Sequence, residues 1–84
     1  MKKQIKNKVL SFSVIYEADP NGGYVAYVAY VPSLSGCHSQ GDNLEEAEKN
    51  IREAIGLYVE SLRAHKYSIP QEQRILQGRV EISV

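Results

Sequence analysis

YVPSLSGCHSQGDNLEEAEKNIREAIGLYVESL, Tyr30 to Leu62, holds the clearest helix signal in this 84-residue chain. Asn43 is a suitable N-cap residue, and Glu46, three residues later, completes a capping-box pair. Acidic residues fill the first turns and basic residues the last, as the helix dipole favours. Apolar residues recur every three or four positions and predict one buried stripe: Leu44, Ala47, Ile51, Ala54, Ile55, Tyr58 and Leu62.

Three segments before this helix have the composition of strands: LSFSVIYEA (residues 10–18), YVAYVAYV (24–31) and CHSQG (37–41). The first carries Phe12, Val14 and Tyr16 on one face, with a period of two. DPNGG at residues 19–23 is rich in turn formers and predicts a hairpin between the first two strands. Pro32 should end the second strand, because proline cannot donate to a sheet ladder.

RVEISV, residues 79–84, alternates apolar and polar side chains and predicts a final half-buried strand. The element order is then β-β-β-α-β in a single domain, 1–84, with residues 1–8 as a flexible basic lead-in. The opening strands should form an antiparallel meander, and a crossover through the helix lays the last strand parallel to the first. We therefore predict an α+β, two-layer fold with a mixed four-stranded sheet, order 3-2-1-4, and one helix on one face.

The second strand is apolar on both sides, because YVAYVAYV repeats with a period of three. Tyr24, Ala26, Val28 and Tyr30 fall on one face of it, and Val25, Tyr27, Ala29 and Val31 on the other. The two faces have matching composition, so either can face a core. A second copy of the protein is the simplest cover for the remaining face, which predicts a homodimer or a higher oligomer.

Composition excludes several classes of function. Ten basic and ten acidic residues balance, so the chain has no overall field that would attract nucleic acid or a membrane. The single cysteine, Cys37, excludes an intramolecular disulfide framework and fits a reducing compartment. No signal-type segment or bilayer-spanning run is present, which predicts a cytoplasmic protein.

Catalytic and metal chemistry find little support in the residues. Cys37 and His38 are adjacent on a predicted strand and should point to opposite faces, so they cannot act on one atom. No set of residues with zinc-ligand spacing completes a metal site. The acids Asp42, Glu45 and Glu46 are explained by the needs of a helix start. We expect no enzyme activity, no metal and no cofactor.

Six tyrosines are the unusual feature of the composition, and four of them lie in the hairpin. That hairpin has no lysine or arginine, which disfavours base stacking and favours a protein interface or a core. Acidic side chains could meet a basic partner, although a solvated helix face also explains them. The candidate partner-binding residues are Glu17, Tyr24, Tyr27, Asp42, Glu45 and Glu46.

Tyr30 to Leu62 resembles the HicB family of antitoxins from toxin–antitoxin pairs. The family pattern has a hairpin ending in yvAyvP, a short lpGc-sqG segment and a helix that opens dTleEAlenikeAi. The matching positions include Pro32, Gly36, Cys37, Gly41 and Ala47, and Asn43 belongs to the same structural motif as the N-cap residue. Ser35, Asn43 and Gly56 depart from the pattern, and one YVA unit is extra. We expect the surplus residues to be absorbed near Asp19–Gly23, or in a bulge within Tyr24–Tyr27.

The resemblance implies a partly degenerate ribonuclease-H-like domain without nuclease activity. It also implies a partner, a HicA-like toxin that cleaves messenger RNA and whose active site the antitoxin covers. Longer family members carry a C-terminal DNA-binding domain that does not appear before Val84, so autorepression by this chain alone is not expected. Two alternatives stay open: a transcriptional regulator that binds DNA through the basic N-terminal arm, and a divergent metal-dependent nuclease.

Overall fold

Three short strands and one long helix make up the fold in a computed structural model, which describes residues 9–18, 27–70 and 75–84. The elements are β1 (Ile15–Ala18), β2 (Tyr27–Tyr30), β3 (His38–Gly41) and α1 (Leu44–Ala64). The strands form an antiparallel sheet in the order β1-β2-β3. The predicted α+β class, the three-strand meander and the helix are therefore confirmed.

The register of the sheet decides which side chains face the helix. Tyr16, Ala29 and Ser39 are cross-strand partners and form one row of the sheet. Ala29 is fully buried, so this row faces the helix. Adjacent residues alternate between faces, and therefore Ile15, Val28 and Tyr30 lie on the opposite face, where they are half-buried. Of the two matching faces of the YVA repeat, the core thus takes the one with Ala29 and Val31.

A tight connection between β2 and β3 contributes to the core. Val31 N donates to Cys37 O at 3.1 Å, Leu34 N to Val31 O at 3.1 Å and Cys37 N to Leu34 O at 3.0 Å. Gly36 has a φ of 79°, a left-handed conformation that glycine adopts without strain. These bonds place the Leu34 side chain inward, where it is fully buried. The turn between the strands is consequently part of the core.

The helix rests mainly on β3 and β2, and glycine is needed where it begins. A Cβ atom at Gly41 would collide with the Ala47 backbone, lying 2.8 Å from its Cα. Asn50 Nδ2 donates to Gln40 O at 2.7 Å, which fixes the helix along β3. The core beneath it contains six buried residues: Ala29, Val31, Leu34, Cys37, Ala47 and Ile51. Phe12, Val14 and Tyr16 pack against its edge, as the alternation predicts.

The predicted fourth strand is not part of this sheet. Residues 79–84 have no strand partner among the described parts of the chain and are exposed. The accessible fraction is 86% for Val80 and 79% for Ile82. An alternating pattern supplies a strand with a suitable face, but the strand forms only where a neighbour provides hydrogen bonds and packing. The order 3-2-1-4 is accordingly not confirmed.

Two details of the predicted helix need correction. Leu44, placed in the buried stripe, is 49% exposed because it lies at the first helical position, past the edge of the core. The spacing of four residues between Glu45 and Lys49 also predicts an ion pair, which does not form in the described structure, whereas Glu48 and Arg52, with the same spacing, form one at 3.4 Å between Oε2 and Nη2. The stripe otherwise holds, since Ala47 and Ile51 are buried.

Some predictions fall outside the described residues: the basic lead-in 1–8, the hairpin turn Asp19–Gly23 and most of the segment Tyr24–Tyr27. From Tyr27 onward β2 pairs residue for residue with β1. Within the described ranges, no helix combines the length and the apolar character needed to cross a bilayer.

Candidate partner-binding surfaces

Two surfaces of the molecule could receive a partner, and the first lies at the start of α1. The capping box forms as predicted: Asn43 Oδ1 accepts from Glu46 N at 2.7 Å. In return, Glu46 Oε1 accepts from Asp42 N at 2.7 Å. Glu46 is thus committed to the fold, and its carboxylate is less available to a partner than the sequence suggests.

Asp42 and Glu45 remain the exposed acids of this end of the helix, and neither forms an ion pair within the described ranges. Tyr27 lies beside them, because it is the cross-strand partner of Gly41 and is half-buried. The structure therefore brings Asp42, Glu45 and Tyr27 to one end of the sheet. We call these three residues the acidic end.

The structure does not bring every predicted partner-binding residue to the acidic end. Glu17 pairs with Val28 and lies on the sheet face opposite the helix. It is exposed, but it cannot share a flat contact with Glu45. Tyr24 lies outside the described residues.

The second surface is a groove between β1 and α1. The helix rests on β3 and β2, so the helix-facing side of β1 is only partly covered. One wall of the resulting groove carries Phe12, Val14 and Tyr16 from the β1 side. The helix supplies the other wall, with Arg52, Ile55, Gly56 and Val59 among its residues. We call this surface the β1 groove.

Electrostatics at the β1 groove centre on Tyr16. Burial raises the pKa of its phenol, and the Glu48 carboxylate raises it further, while Arg52 acts in the opposite direction. Glu48 and Arg52 line the same groove as Tyr16, and both side chains of the ion pair are largely exposed. The groove combines an apolar floor with one polar group and an ion pair at its rim, the usual make-up of a protein interface.

The outer edge of β1 is also open to pairing. Val31 N bonds to β3, so alternation along an antiparallel strand directs the backbone groups of Tyr30 and Val28 toward β1. Their partners Ile15 and Glu17 are therefore used within the sheet. Val14, Tyr16 and Ala18 turn their N–H and C=O groups to the outer edge, where the described chain supplies no strand.

Cys37 and His38 occupy opposite faces, as expected from their positions. Cys37 is 5% exposed, and burial raises the pKa of its thiol. His38 is exposed, with Nδ1 3.1 Å from Gly36 O. The two side chains cannot meet at one reacting atom. Within the described ranges, no three His, Cys, Asp or Glu side chains are grouped to hold a metal ion.

Sequence reasoning missed the β1 groove. The alternation predicts that Phe12, Val14 and Tyr16 share one face of the first strand, and in the structure all three are partly buried against the core. The sequence did not show that the helix would lie over β3 and β2, off the centre of the sheet, and leave these three side chains partly exposed. Gly56 is the one signal in the sequence, since a glycine inside a helix costs stability and here lines the groove.

The described residues thus form a small α+β protein with exposed acids at one end of its sheet and a partly covered groove beside β1. The profile of the HicB-like antitoxin of bacterial toxin–antitoxin systems matches residues 12–81 of this chain. The chain therefore belongs to the HicB-like antitoxin family.

Curated relatives cover most of the chain. It is 46% identical over 70 residues to a UPF0150 protein of Synechocystis, spanning 83% of this chain and 85% of the relative. A UPF0150 protein of Thermoplasma acidophilum is 43% identical over 63 residues, 75% and 87% of the two chains. One from Helicobacter pylori is 39% identical over 71 residues, 84% and 93%. No solved structure gives a significant match, so the ribonuclease-H-like fold stays a prediction.

Proposed function

We propose that this chain is the antitoxin of a type II toxin–antitoxin pair and that it binds and occludes a HicA-like, mRNA-cleaving toxin. The observation that carries the proposal is the family match over residues 12–81. Membership of an antitoxin family also favours a binding role over an enzymatic one. The protein would act in the cytoplasm, where such a toxin meets its RNA.

The acidic end is the surface that we assign to the toxin. A protein that cleaves RNA must attract phosphates, so its active surface is basic, and an antitoxin covering that surface gains from opposite charge. Asp42 and Glu45 are exposed and project from the rigid start of a capped helix. Tyr27, half-buried beside them, adds an aromatic group of the kind enriched in interfaces.

The Glu46 side chain has a different part in this arrangement. Asp42 lies just before the N-cap residue, and its backbone N–H donates to the Glu46 carboxylate. This bond fixes the orientation of the Asp42 backbone relative to the helix. Glu46 thus positions the acidic end rather than contacting the toxin.

Co-expression with a HicA-like toxin from the same genome tests the proposal. The pair should co-purify, and purified toxin should stop cleaving RNA once this chain is present in excess. A toxin that stays fully active under excess antitoxin would overturn the proposed function.

Charge reversal tests the surface separately. The double variant Asp42→Lys/Glu45→Lys should weaken toxin binding by roughly 10-fold or more, mainly through slower association. Glu53→Lys is the matched control, because Glu53 is equally exposed but lies more than two turns along the helix. Equal loss from both variants would exclude the acidic end while leaving the antitoxin role intact.

A further inference from the structure

We infer that the β1 edge and the β1 groove receive residues 79–84 of a second copy of this chain, which pair there as the missing fourth strand. Each copy would give one strand and accept one, in a two-fold symmetric dimer.

The acceptor half of the contact is an edge with a groove beside it. Val14, Tyr16 and Ala18 present unused backbone groups outward, as the hydrogen-bonding alternation requires. A strand added there would direct every second side chain toward the helix side, into the β1 groove. A bare edge of this kind is normally paired or covered in a native sheet.

The donor half is the exposed segment 79–84. Its apolar residues Val80, Ile82 and Val84 alternate with Arg79, Glu81 and Ser83. The three apolar side chains make almost no contact with the body, with Ile82 79% exposed and Val80 86% exposed. Three exposed aliphatic side chains on one face form an apolar patch, and burial of such a patch against another surface is favourable.

Donor and acceptor match in length and chemistry. Six extended residues span about 20 Å, close to the reach of the extended segment 12–18 that borders the groove. With the aliphatic side chains turned inward, Val80 and Ile82 would meet the apolar wall formed by Phe12, Val14 and Ile55. Arg79, Glu81 and Ser83 would then face water. One segment therefore satisfies both the open edge and the open groove.

Gly56 leaves open space on the helix side of the β1 groove. A Cβ atom built on it meets no atom within 4 Å in the described structure, so packing inside the chain does not require glycine there. Gly56 nevertheless lines the β1 groove, next to Ile55 and near Val59. A glycine in this position leaves room for a backbone or side chain from outside.

The helix explains why the strand would come from a second copy. Its 21 residues span about 31 Å, whereas a four-residue strand spans about 13 Å. Tyr58 already contacts the turn at the far end of β3, so the residues after it extend past the sheet. The chain thus leaves α1 beyond its own body.

The first test is the mass of the intact chain by sedimentation equilibrium at several concentrations. We expect a species of twice the 9.4 kDa chain mass that dissociates on dilution. Ile82→Asp should raise the dimer dissociation constant at least about 100-fold, since it places a carboxylate in an apolar groove. Ser83→Asp is the matched control, because it adds the same charge to the outward face and should leave the dimer intact.

Complementation distinguishes strand exchange from other dimers. Gly56→Leu should block the acceptor groove and leave the fold of the chain intact, because a Cβ atom at this position meets no atom within 4 Å in the described structure. Neither Gly56→Leu nor Ile82→Asp should pair alone, but an equimolar mixture should form a dimer through one intact contact. A mixture that stays monomeric, a wild-type chain that is monomeric with residues 79–84 on its own β1, or a dimer indifferent to Ile82→Asp would each overturn the inference.

Discussion

The Tyr58 hydroxyl donates a 2.9 Å hydrogen bond to the carbonyl oxygen of Ser35, 23 residues earlier in the chain. This bond joins the second turn of the helix, counted back from its end, to the connection between β2 and β3. Its counterpart at the start of the helix is the bond from Asn50 Nδ2 to Gln40 O. Two polar contacts therefore fix the helix against both ends of β3.

We expect Tyr58→Phe to lower the free energy of unfolding by about 1 kcal/mol, because it removes this bond and keeps the ring. Urea denaturation followed by circular dichroism measures the change. Tyr67→Phe is the control: Tyr67 is 65% exposed and stacks on His65 through its ring, so losing its hydroxyl should have little effect. Equal losses in the two variants would contradict the role of the Ser35 contact.

Removal of the capping box should destabilise the helix. Asn43→Ala leaves Glu46 N without its acceptor and should cost about 1 kcal/mol. Glu45→Ala changes an exposed neighbour with no part in the cap and should cost much less. The same urea titration reports both variants, and indistinguishable midpoints would show that the cap carries no stability.

Substitution by alanine should change the stability of the protein in opposite directions at Gly41, which is buried, and at Gly56, which is exposed. Gly41→Ala puts a methyl group against the Ala47 backbone and should destabilise by about 1–3 kcal/mol or more. Gly56→Ala meets no atom within 4 Å in the described structure and gains helix propensity, so it should stabilise by up to about 1 kcal/mol.

Both glycine measurements are best made in the Ile82→Asp chain, where any dimer contribution is absent. Thermal and urea unfolding show directly whether each substitution raises or lowers the free energy of unfolding. Destabilisation by Gly56→Ala in that monomer would contradict the open space at this position.

The loss of folding stability at alkaline pH should depend on Tyr16. Burial and the nearby Glu48 raise the pKa of its phenol above the ordinary value of 10.0. The folded state therefore disfavours the ionised form, so stability is intact below pH 10 and falls as the pH rises through the raised pKa. Tyr16→Phe should flatten that fall, which urea titrations at pH 9 and above would measure.

The neighbouring charges should shift this titration in opposite directions. Glu48→Gln should lower the pKa of Tyr16, and Arg52→Gln should raise it. Phenolate absorbance or nuclear magnetic resonance of the Tyr16 ring follows the titration. No change with either variant would place the ion pair away from the groove.

Cys37 should be unreactive in the folded protein. It is 5% exposed, and burial raises the pKa of its thiol, so both access and thiolate content are low. At pH 8 a disulfide reagent should label it at least about 10-fold more slowly than in denaturant, at a rate set by opening of the core. Labelling at the unfolded rate would contradict its place beneath the helix.

Local signals explain the successful part of the sequence interpretation. The cap at Asn43 and the stripe through Ala47 and Ile51 depend on residues a few positions apart, so the pattern contains the needed information. The same holds for Gly41 at the end of β3. The acidic end could therefore be located from sequence, except that Glu46 is used by the cap.

Tertiary placement accounts for what the sequence left open. Leu34 lies in a turn, yet its bonded backbone directs it into the core. The two faces of YVAYVAYV have equal composition, so only packing could select Ala29 and Val31. The alternation of residues 79–84 predicts a strand that the described sheet does not contain, because a pattern does not supply the neighbour with which a strand must pair.

The sheet order β1-β2-β3 with the helix on β3 has a kinetic consequence. Each strand pairs with the element before or after it along the chain, and such sequence-local contacts favour rapid folding. The body can thus fold without residues 79–84. If those residues dock on another copy, refolding should show a fast phase independent of concentration and a slower one whose rate rises with it. A newly made chain would then be folded before it is paired.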